Sequence, residues 1–330
     1  MRKKKTHIII LYGFIALLLG GCIHQYPEGG NGQTPVTVTV DIEIDMDLPA
    51  FQTISRTTRA PLEGHERRFV IDVFQGGKAV SGKRIVTTKA EEISEGKFII
   101  PVSLQLEAQE YTLAVWSDFV KQGTQEDLHF NTEALTHVHL NEPYHHDCNR
   151  REAFCGMAAL NLTPYAGGQD VQIRQHIGLK RPQAKFRIIS TDTEEFVTRV
   201  HTRGDTPGNH RVKVSYEYFL PTAYNIMDDV LCGSQAGMGF TAPCSLETDE
   251  DGHCELAADY VFAGKDATYL SLTLEVLDGN GEAVSRVTGV QVPFRQGELT
   301  IVTGKFLTTM MRPGISIDTD YEGEFNITLP

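Results

Sequence analysis

The sequence has few basic residues and, after its first twenty positions, no long hydrophobic run. Its 330 residues include 30 Lys and Arg against 43 Asp and Glu, which gives a formal net charge of −13. Because nucleic acids and anionic lipids attract basic surfaces, this composition argues against both as direct partners. No later stretch approaches the roughly 18 consecutive apolar residues that a membrane-spanning helix needs. The bulk of the chain is therefore expected to lie in water.

The chain also lacks sustained helical periodicity. Residues 36–45, "VTVTVDIEID", alternate strictly between apolar and polar side chains, which is typical of a half-buried β-strand. Similar alternation occurs at residues 69–73, 100–106, 171–179, 184–189, 212–218 and 270–276. Since the chain is long enough for two domains of roughly 150 residues, these strands predict an all-β protein made of two tandem β-sandwiches.

Three local features refine this prediction. Residues 121–154 have no period and are rich in polar side chains, so we expect a long excursion with one short strand near residues 135–140. Thr191 and Glu194 have capping-box spacing, which favours one short helix in "TDTEEFVTRV". Trp116, the single tryptophan, lies in "YTLAVWSDF" and is predicted to fill a core.

The N-terminus has the pattern of a bacterial lipoprotein signal. Basic residues 2–5 precede an apolar run at residues 8–19, which is too short to span the roughly 30 Å of a bilayer core. The run ends in "LGGC", a lipobox, in which the thiol of Cys22 is acylated before cleavage. We therefore predict a signal peptide at residues 1–21, lipidation of Cys22 and a flexible linker at residues 22–35.

This signal predicts a protein that is attached to a membrane by lipid. Acyl chains such as palmitate contribute about 0.8 kcal/mol per buried methylene, so they hold a chain on a membrane without a transmembrane helix. Removal of residues 1–21 also takes away four basic side chains and no acidic ones, which shifts the net charge from −13 to −17.

Five cysteines remain when Cys22 is lipidated, an odd number in an oxidising compartment. Cys148 and Cys155 are close in sequence and could close a small disulfide loop. The other three, Cys232, Cys244 and Cys254, allow three alternative pairings with one spare thiol. The connectivity stays open, because spacing alone does not determine it.

No pair of acid and base and no activated nucleophile stands out, so the sequence predicts a non-enzymatic protein without a cofactor. The densest group of metal-capable side chains is "HVHLNEPYHHDC", where His137 and His139 would share one face of a strand. A third ligand is not identified, and a polar solvated loop is favoured over a metal site or a metal-dependent hydrolase. Residues 247–258 match a calcium loop only in their first half and indicate a hairpin turn.

Two loops suggest an alternative class, a surface module that binds glycans or host matrix. The first lies within residues 120–150. The second lies within residues 200–208 and contains Arg203-Gly204-Asp205, a tripeptide that integrins recognise. A tripeptide of this kind also recurs by chance in chains of this length.

Taken together, several stretches resemble the bacterial fimbrillin superfamily, also called type V pilins, and in particular a branch of lipoproteins with no assigned function. They are the lipobox and the segments "VTVTVDI", "YTLAVWSDF", "NRREAFCGM", "LKRPQAKFRI", "DYVFA", "VPFRQGELTIVTGKFLT" and "GISIDTDYEGEFNITLP". The resemblance spans nearly the whole mature chain. It implies two transthyretin-like, Greek-key β-sandwiches, which we place at residues 36–182 and 183–330.

The resemblance also implies a role and a mechanism of assembly. Its members are outer-membrane lipoproteins of fimbriae; in those that polymerise, an N-terminal segment is cut off after an Arg and the open groove accepts a strand from another subunit. Arg56 or Arg59 would mark such a cut, although both also fit an ordinary basic loop and some accessory members stay uncut. We expect a structural, adhesive or accessory fimbrial subunit, facing the cell surface or the periplasm.

Overall fold

The computed structural model describes residues 36–46, 63–94, 96–144, 146, 150–166, 171–202, 207–309 and 324–328. The strands are β1 (Val36–Met46), β2 (His65–Gln75), β3 (Lys78–Ala79), β4 (Ile85–Thr87), β5 (Glu91–Ser94), β6 (Lys97–Leu106), β7 (Glu110–Lys121), β8 (Phe130–Asn131), β9 (Val138–Leu140), β10 (Phe154–Asn161), β11 (Val171–Leu179), β12 (Gln183–Ser190), β13 (Arg211–Tyr216), β14 (Phe219–Asn225), β15 (Val230–Ala236), β16 (Gly239–Pro243), β17 (Cys254–Phe262), β18 (Thr268–Leu277), β19 (Ala283–Phe294), β20 (Leu299–Gly304) and β21 (Glu324–Thr328). The predicted all-β class is confirmed.

The first half of the chain forms a sandwich of two sheets, the N-terminal sandwich. One sheet has the strand order β11-β1-β6-β5, and the other has the order β10-β7-β2-β3 with β4 also paired to β2. The inward side chains of both sheets form one core, which includes Ile42, Ile71, Leu104 and Leu113. The alternation along each strand thus places one apolar face against the other.

The second half forms the C-terminal sandwich with the same connectivity. Its sheets have the orders β17-β12-β20-β21 and β16-β13-β18-β19. In each sandwich the first strand lies between an antiparallel and a parallel neighbour: β1 lies between β6 and β11, and β12 lies between β17 and β20. The second sandwich adds β21, parallel to β20, at the sheet edge. The chain therefore repeats one architecture, and the boundary placed after residue 182 falls between β11 and β12.

A third sheet links the two halves. It has the order β15-β14-β9-β8, and we call it the bridging sheet. Strands β8 and β9 belong to the predicted excursion, whereas β14 and β15 follow β13 in the second half. Backbone pairing between β9 and β14 brings His139 opposite Ala223. The excursion is thus a structural connection between the sandwiches and contains the short strand expected within residues 135–140.

A separate hydrophobic cluster, the shared core, lies between the sandwiches. Trp116 on β7, Phe130 on β8 and Phe262 on β17 are each at most 2% exposed. The ring of Phe130 lies 5.2 Å from that of Trp116 and 5.8 Å from that of Phe262, measured between centroids. Aromatic pairs at such distances stabilise beyond their buried area. Trp116 is a core residue, as predicted.

The α-helix α1 (Thr193–Thr202) follows β12 and packs Phe196 and Val200 against the C-terminal sandwich. Its presence confirms the short helix predicted near residues 191–200. No helix in the described part of the chain is long and apolar enough to span a bilayer.

Candidate functional site

Strand β1 lies in the middle of its sheet although it is the first strand of the sandwich. Ten of its residues, 36–45, pair antiparallel with β6, and nine residues, 38–46, pair parallel with β11. Both neighbours are distant in sequence. Removal of β1 would leave two facing rows of unpaired backbone groups, which is the requirement for accepting another strand. We call this position the β1 slot.

The inner face of β1 anchors it by apolar burial. Five alternate side chains are at most 5% exposed: Val38, Val40, Ile42, Ile44 and Met46. Each such side chain contributes roughly 1.5–3 kcal/mol when fully buried. The outer face is polar, and Glu43 forms an ion pair of 3.2 Å with the exposed Arg174 of β11. β1 therefore fits its position by its alternation of apolar and polar residues.

The predicted lipidation residue precedes β1 in the chain, and the predicted processing residues follow it. Cys22, Arg56 and Arg59 lie outside the described residues, as does Cys148. Residues 47–62, which carry the two arginines, join the end of β1 to the beginning of β2. Cys155 is buried in β10, and its pairing with Cys148 stays a prediction.

Buried ion pairs hold the sandwiches together. The Nη1 atom of Arg151 lies 2.6 Å from Oδ1 of Asp259 on β17, and both side chains are at most 2% exposed. Tyr216 donates its hydroxyl to the same carboxylate at 2.9 Å. Burial alone would lower the pKa of Arg151, but Asp259 together with Tyr144 and Tyr216 raises it above its usual value, so this guanidinium stays charged inside the protein.

A second ionic cluster lies beside the first. Glu152 accepts hydrogen bonds from Arg181, at the junction of the sandwiches, and from Arg67 on β2 at 3.2 Å. Burial alone would raise the pKa of Glu152, but the two guanidinium groups lower it below its usual value. The stretches "NRREAF" and "LKRP" thus supply the charged part of the interface.

Asp229 makes a third ionic contact, at the turn between β14 and β15. It has φ of 57°, uncommon for a residue other than Gly, and its carboxylate contacts Lys180 and, at 2.6 Å, Lys265. Burial opposes its ionisation, but hydrogen bonds from Lys180, Lys265 and Tyr224 lower its pKa to about 2. These contacts close one side of a cavity of about 360 Å³ at the junction.

The His-rich excursion divides into a buried and an exposed part. Phe130, Leu135, Val138 and Leu140 pack into the shared core, so residues 128–140 are not a free binding loop. His137 is exposed and His139 is half-buried beside a cavity of about 370 Å³. The tripeptide at residues 203–205, the other predicted binding loop, lies outside the described residues.

The bridging sheet adds a residue that the sequence pattern did not indicate. The Sγ atom of Cys232 on β15 lies 3.3 Å from Nδ1 of His137, 95 positions away in the chain. The His137 and His139 rings are 5.4 Å apart between centroids. The spacing of two between His137 and His139 was visible in the sequence, but their contact with Cys232, across the intervening strand β14, was not.

The predicted hairpin turn before β17 contains Asp249, Asp251 and His253, whose potential ligand atoms lie within 4.8 Å of one another. The carboxylate of Asp249 already accepts the backbone N–H groups of Asp251 and His253, at 3.0 and 2.9 Å. These contacts are those of an Asx turn and explain the local fold.

The chain belongs to a family of unknown function (DUF6562), whose model matches residues 31–330. No curated protein matches the sequence. Among solved structures, it is similar to the fimbrial anchor protein Mfa2 of Porphyromonas gingivalis, with 14% identity, a TM-score of 0.41, and coverage of 78% of this chain and 82% of that chain.

It is also similar to a candidate cell adhesion protein of Bacteroides eggerthii, with 10% identity, a TM-score of 0.46, and coverage of 92% of this chain and 100% of that chain. A candidate polysaccharide-binding protein of Bacteroides thetaiotaomicron has 12% identity, a TM-score of 0.44, and coverage of 77% and 80%. Similarities at this level do not establish a shared function.

Proposed function

We propose that the protein is a non-enzymatic, fimbrillin-like lipoprotein, tethered to the outer membrane, that serves as a structural, adhesive or accessory subunit of cell-surface fimbriae. The lipobox ending at Cys22 supports the tether. The observation that carries the proposal is the position of β1, the first strand of the described residues, inserted between two strands that are remote in sequence.

The proposal assigns a role to the connection that follows β1. A cut after Arg56 or Arg59 in residues 47–62 would remove the covalent link between β1 and the rest of the sandwich. The vacated slot would expose backbone groups of β6 and β11 and an apolar face of the core. A strand with the same alternation from another subunit would pair with these backbone groups and cover the apolar face. This is strand addition, either between copies of the chain or between different subunits.

The test of assembly is limited cleavage of the full chain by an Arg-specific protease. We expect a cut in residues 47–62, followed by a ladder of oligomers that withstand mild detergent. The Arg56→Gln/Arg59→Gln variant is the matched control and should remain monomeric. Absence of a ladder, together with absence of the protein from purified fimbrial fractions, would contradict the fimbrial role.

The tether is tested separately by a Cys22→Ser substitution in the producing cell. The unchanged chain should partition into the outer-membrane fraction and carry the mass of its acyl chains, since stable anchoring requires two or more such chains. The variant should lose both the added mass and the membrane association. Equal partitioning of the two proteins would refute lipid attachment at this residue.

A second candidate function is glycan binding at the cell surface. Tyr218, just before β14, and Phe219, its first residue, are 70% and 66% exposed. Exposed aromatic rings offer apolar faces for stacking against a ligand. A glycan array should then give signals that the Tyr218→Ala/Phe219→Ala variant loses, and an array without signals for the unchanged protein would exclude this function.

A further inference from the structure

His137, His139 and Cys232 form a cluster on the bridging sheet. Val138 and Leu140 of β9 point into the shared core, so the alternating side chains of His137 and His139 point to the opposite face of the sheet. Their rings lie 5.4 Å apart beside an open cavity of about 370 Å³. Two imidazoles thus share one accessible surface.

A β-bulge directs the thiol toward these rings. In the pairing of β14 with β15, Ala223 is opposite Gly233 and Tyr224 is opposite Leu231, so Cys232 is an extra residue without a partner on β14. A bulge redirects the side chain of the extra residue. As a result, Cys232 reaches His137 although β14 lies between their strands.

Small residues keep the space above β14 open. Gly233 lines the cavity together with Ala223, and a Cβ atom at Gly233 would come within 2.9 Å of the Cβ of Ala223. A larger side chain at either position would separate the thiol from the imidazoles. The bulge and the two small residues are therefore independent features of the same site.

We propose that His137, His139 and Cys232 bind a Zn²⁺ ion. With Zn–S and Zn–N bonds of about 2.3 and 2.0–2.1 Å, tetrahedral coordination places the two ligand atoms about 3.5 Å apart. The separation of 3.3 Å between Sγ of Cys232 and Nδ1 of His137 is within a few tenths of this value. One thiolate and two imidazoles also form a donor set that favours zinc over magnesium or calcium.

Binding requires one adjustment and one proton. Nδ1 of His139 lies 3.4 Å from the backbone carbonyl oxygen of His137, so the ring gives up this contact and turns about its side-chain bonds to bring a nitrogen to the ion, and solvent fills the fourth position. As the Zn–S bond forms, the thiol proton of Cys232 passes to the buffer, and neither the metal nor the sulfur changes oxidation state. The ion would then connect β9 from the first half of the chain to β15 from the second half.

The test uses the full chain, purified in detergent and kept reduced, with Co²⁺ as a spectroscopic probe and Zn²⁺ in competition with a chelating dye. We expect one ion per chain, a thiolate-to-cobalt charge-transfer band, and a higher melting temperature with Zn²⁺. Cys232→Ser should abolish the band, and His137→Ala should weaken Zn²⁺ binding by more than tenfold, since even outer-shell changes cost roughly 10- to 100-fold.

Two control variants locate the site. His176→Ala removes an exposed histidine on β11, and Asp251→Asn removes a carboxylate of the acidic turn; both should bind Zn²⁺ as the unchanged chain does. Binding that depends on Asp251 but not on Cys232 would overturn the proposal. So would the absence of stoichiometric uptake, with Cys232 found only in a thiol–imidazole hydrogen bond or in an intermolecular disulfide.

Discussion

At the scale of single residues, buried charge characterises the interface between the sandwiches. Arg151 and Arg181 at this interface, and Arg68 within the N-terminal half, are each at most 2% exposed. Arg68 donates two hydrogen bonds to the carboxylate of Asp118, at 2.9 and 2.7 Å. A planar guanidinium can make such paired bonds and an ammonium cannot, so Lys would not replace these residues. Their spacing in the sequence shows no sign of this burial, because their partners are far away in the chain.

The Arg151–Asp259 pair predicts a specific pattern of stability. Arg151→Met should lower the free energy of unfolding by roughly 3–5 kcal/mol, because it leaves the carboxylate of Asp259 buried without its cation. The double variant Arg151→Met/Asp259→Leu should recover part of this loss, since both charges are then absent. Denaturant unfolding of the unchanged chain, the two single variants and the double variant measures these free energies. A double variant that loses more stability than the two single variants lose together would contradict the prediction.

Asp229 predicts a dependence on acid. Its pKa in the folded protein, about 2, is below the ordinary value of 3.8, so its ionised form stabilises the fold. This contribution is complete above about pH 4 and is lost as the pH falls toward 2, because protonation then favours the unfolded chain. Asp229→Asn should be less stable at pH 6, and its disadvantage should shrink below pH 3. Asn also tolerates positive φ, so the backbone is preserved. A disadvantage that does not change with pH would contradict this account.

At the scale of elements, alternation identified the strands that have one face in a single core. β1, β11, β13 and β18 were predicted in this way, because their apolar residues recur at every second position. Alternation gave no clear pattern in the excursion at residues 121–154, since its apolar residues pack between two sandwiches. Phe130 and Leu135 contact residues from both halves of the chain, and no local period records that.

The cluster of the bridging sheet was missed for a related reason. The sequence indicates His137 and His139 as neighbours on one strand face, but Cys232 enters through two consecutive strand pairings and a bulge. Register irregularities of this type depend on the whole sheet. A cysteine between Leu231 and Gly233 has no local sign of this role.

β1 predicts a contrast between its two faces. Ile42→Ala should destabilise the N-terminal sandwich by roughly 2–5 kcal/mol, because it deletes a fully buried side chain and leaves a cavity. Thr39→Ala, on the outer face of the same strand, should cost less than about 1 kcal/mol. Thermal unfolding of both variants provides the measurement, and equal costs would mean that β1 does not insert as described.

At the scale of the whole molecule, two sandwiches of the same connectivity act as one unit. The bridging sheet crosses from one half to the other, and the shared core joins β7 of the first sandwich to β17 of the second. Ion pairs such as Arg151–Asp259 add to the same interface. We therefore expect a single cooperative unfolding transition for the described body.

A substitution in the shared core should split the single unfolding transition into two. Phe130→Ala removes the ring between Trp116 and Phe262, a loss of roughly 3–5 kcal/mol, and should give two calorimetric transitions. Phe294→Ala removes a ring that is equally buried inside the C-terminal sandwich alone, and should lower the melting temperature while keeping one transition. One transition for Phe130→Ala would show that the sandwiches stay coupled without this ring, which would contradict the prediction.

Exchange of β1 for a free peptide tests whether the β1 slot accepts a strand from outside the chain. The full chain is cut in residues 47–62 and incubated with excess isotopically labelled peptide of residues 36–46, and uptake is followed by native mass spectrometry and by hydrogen exchange at β6 and β11. We expect one labelled peptide to replace β1 in each chain and the amides facing the slot to stay protected. No uptake of the peptide, whether β1 stays in place or its loss unfolds the sandwich, would contradict this expectation.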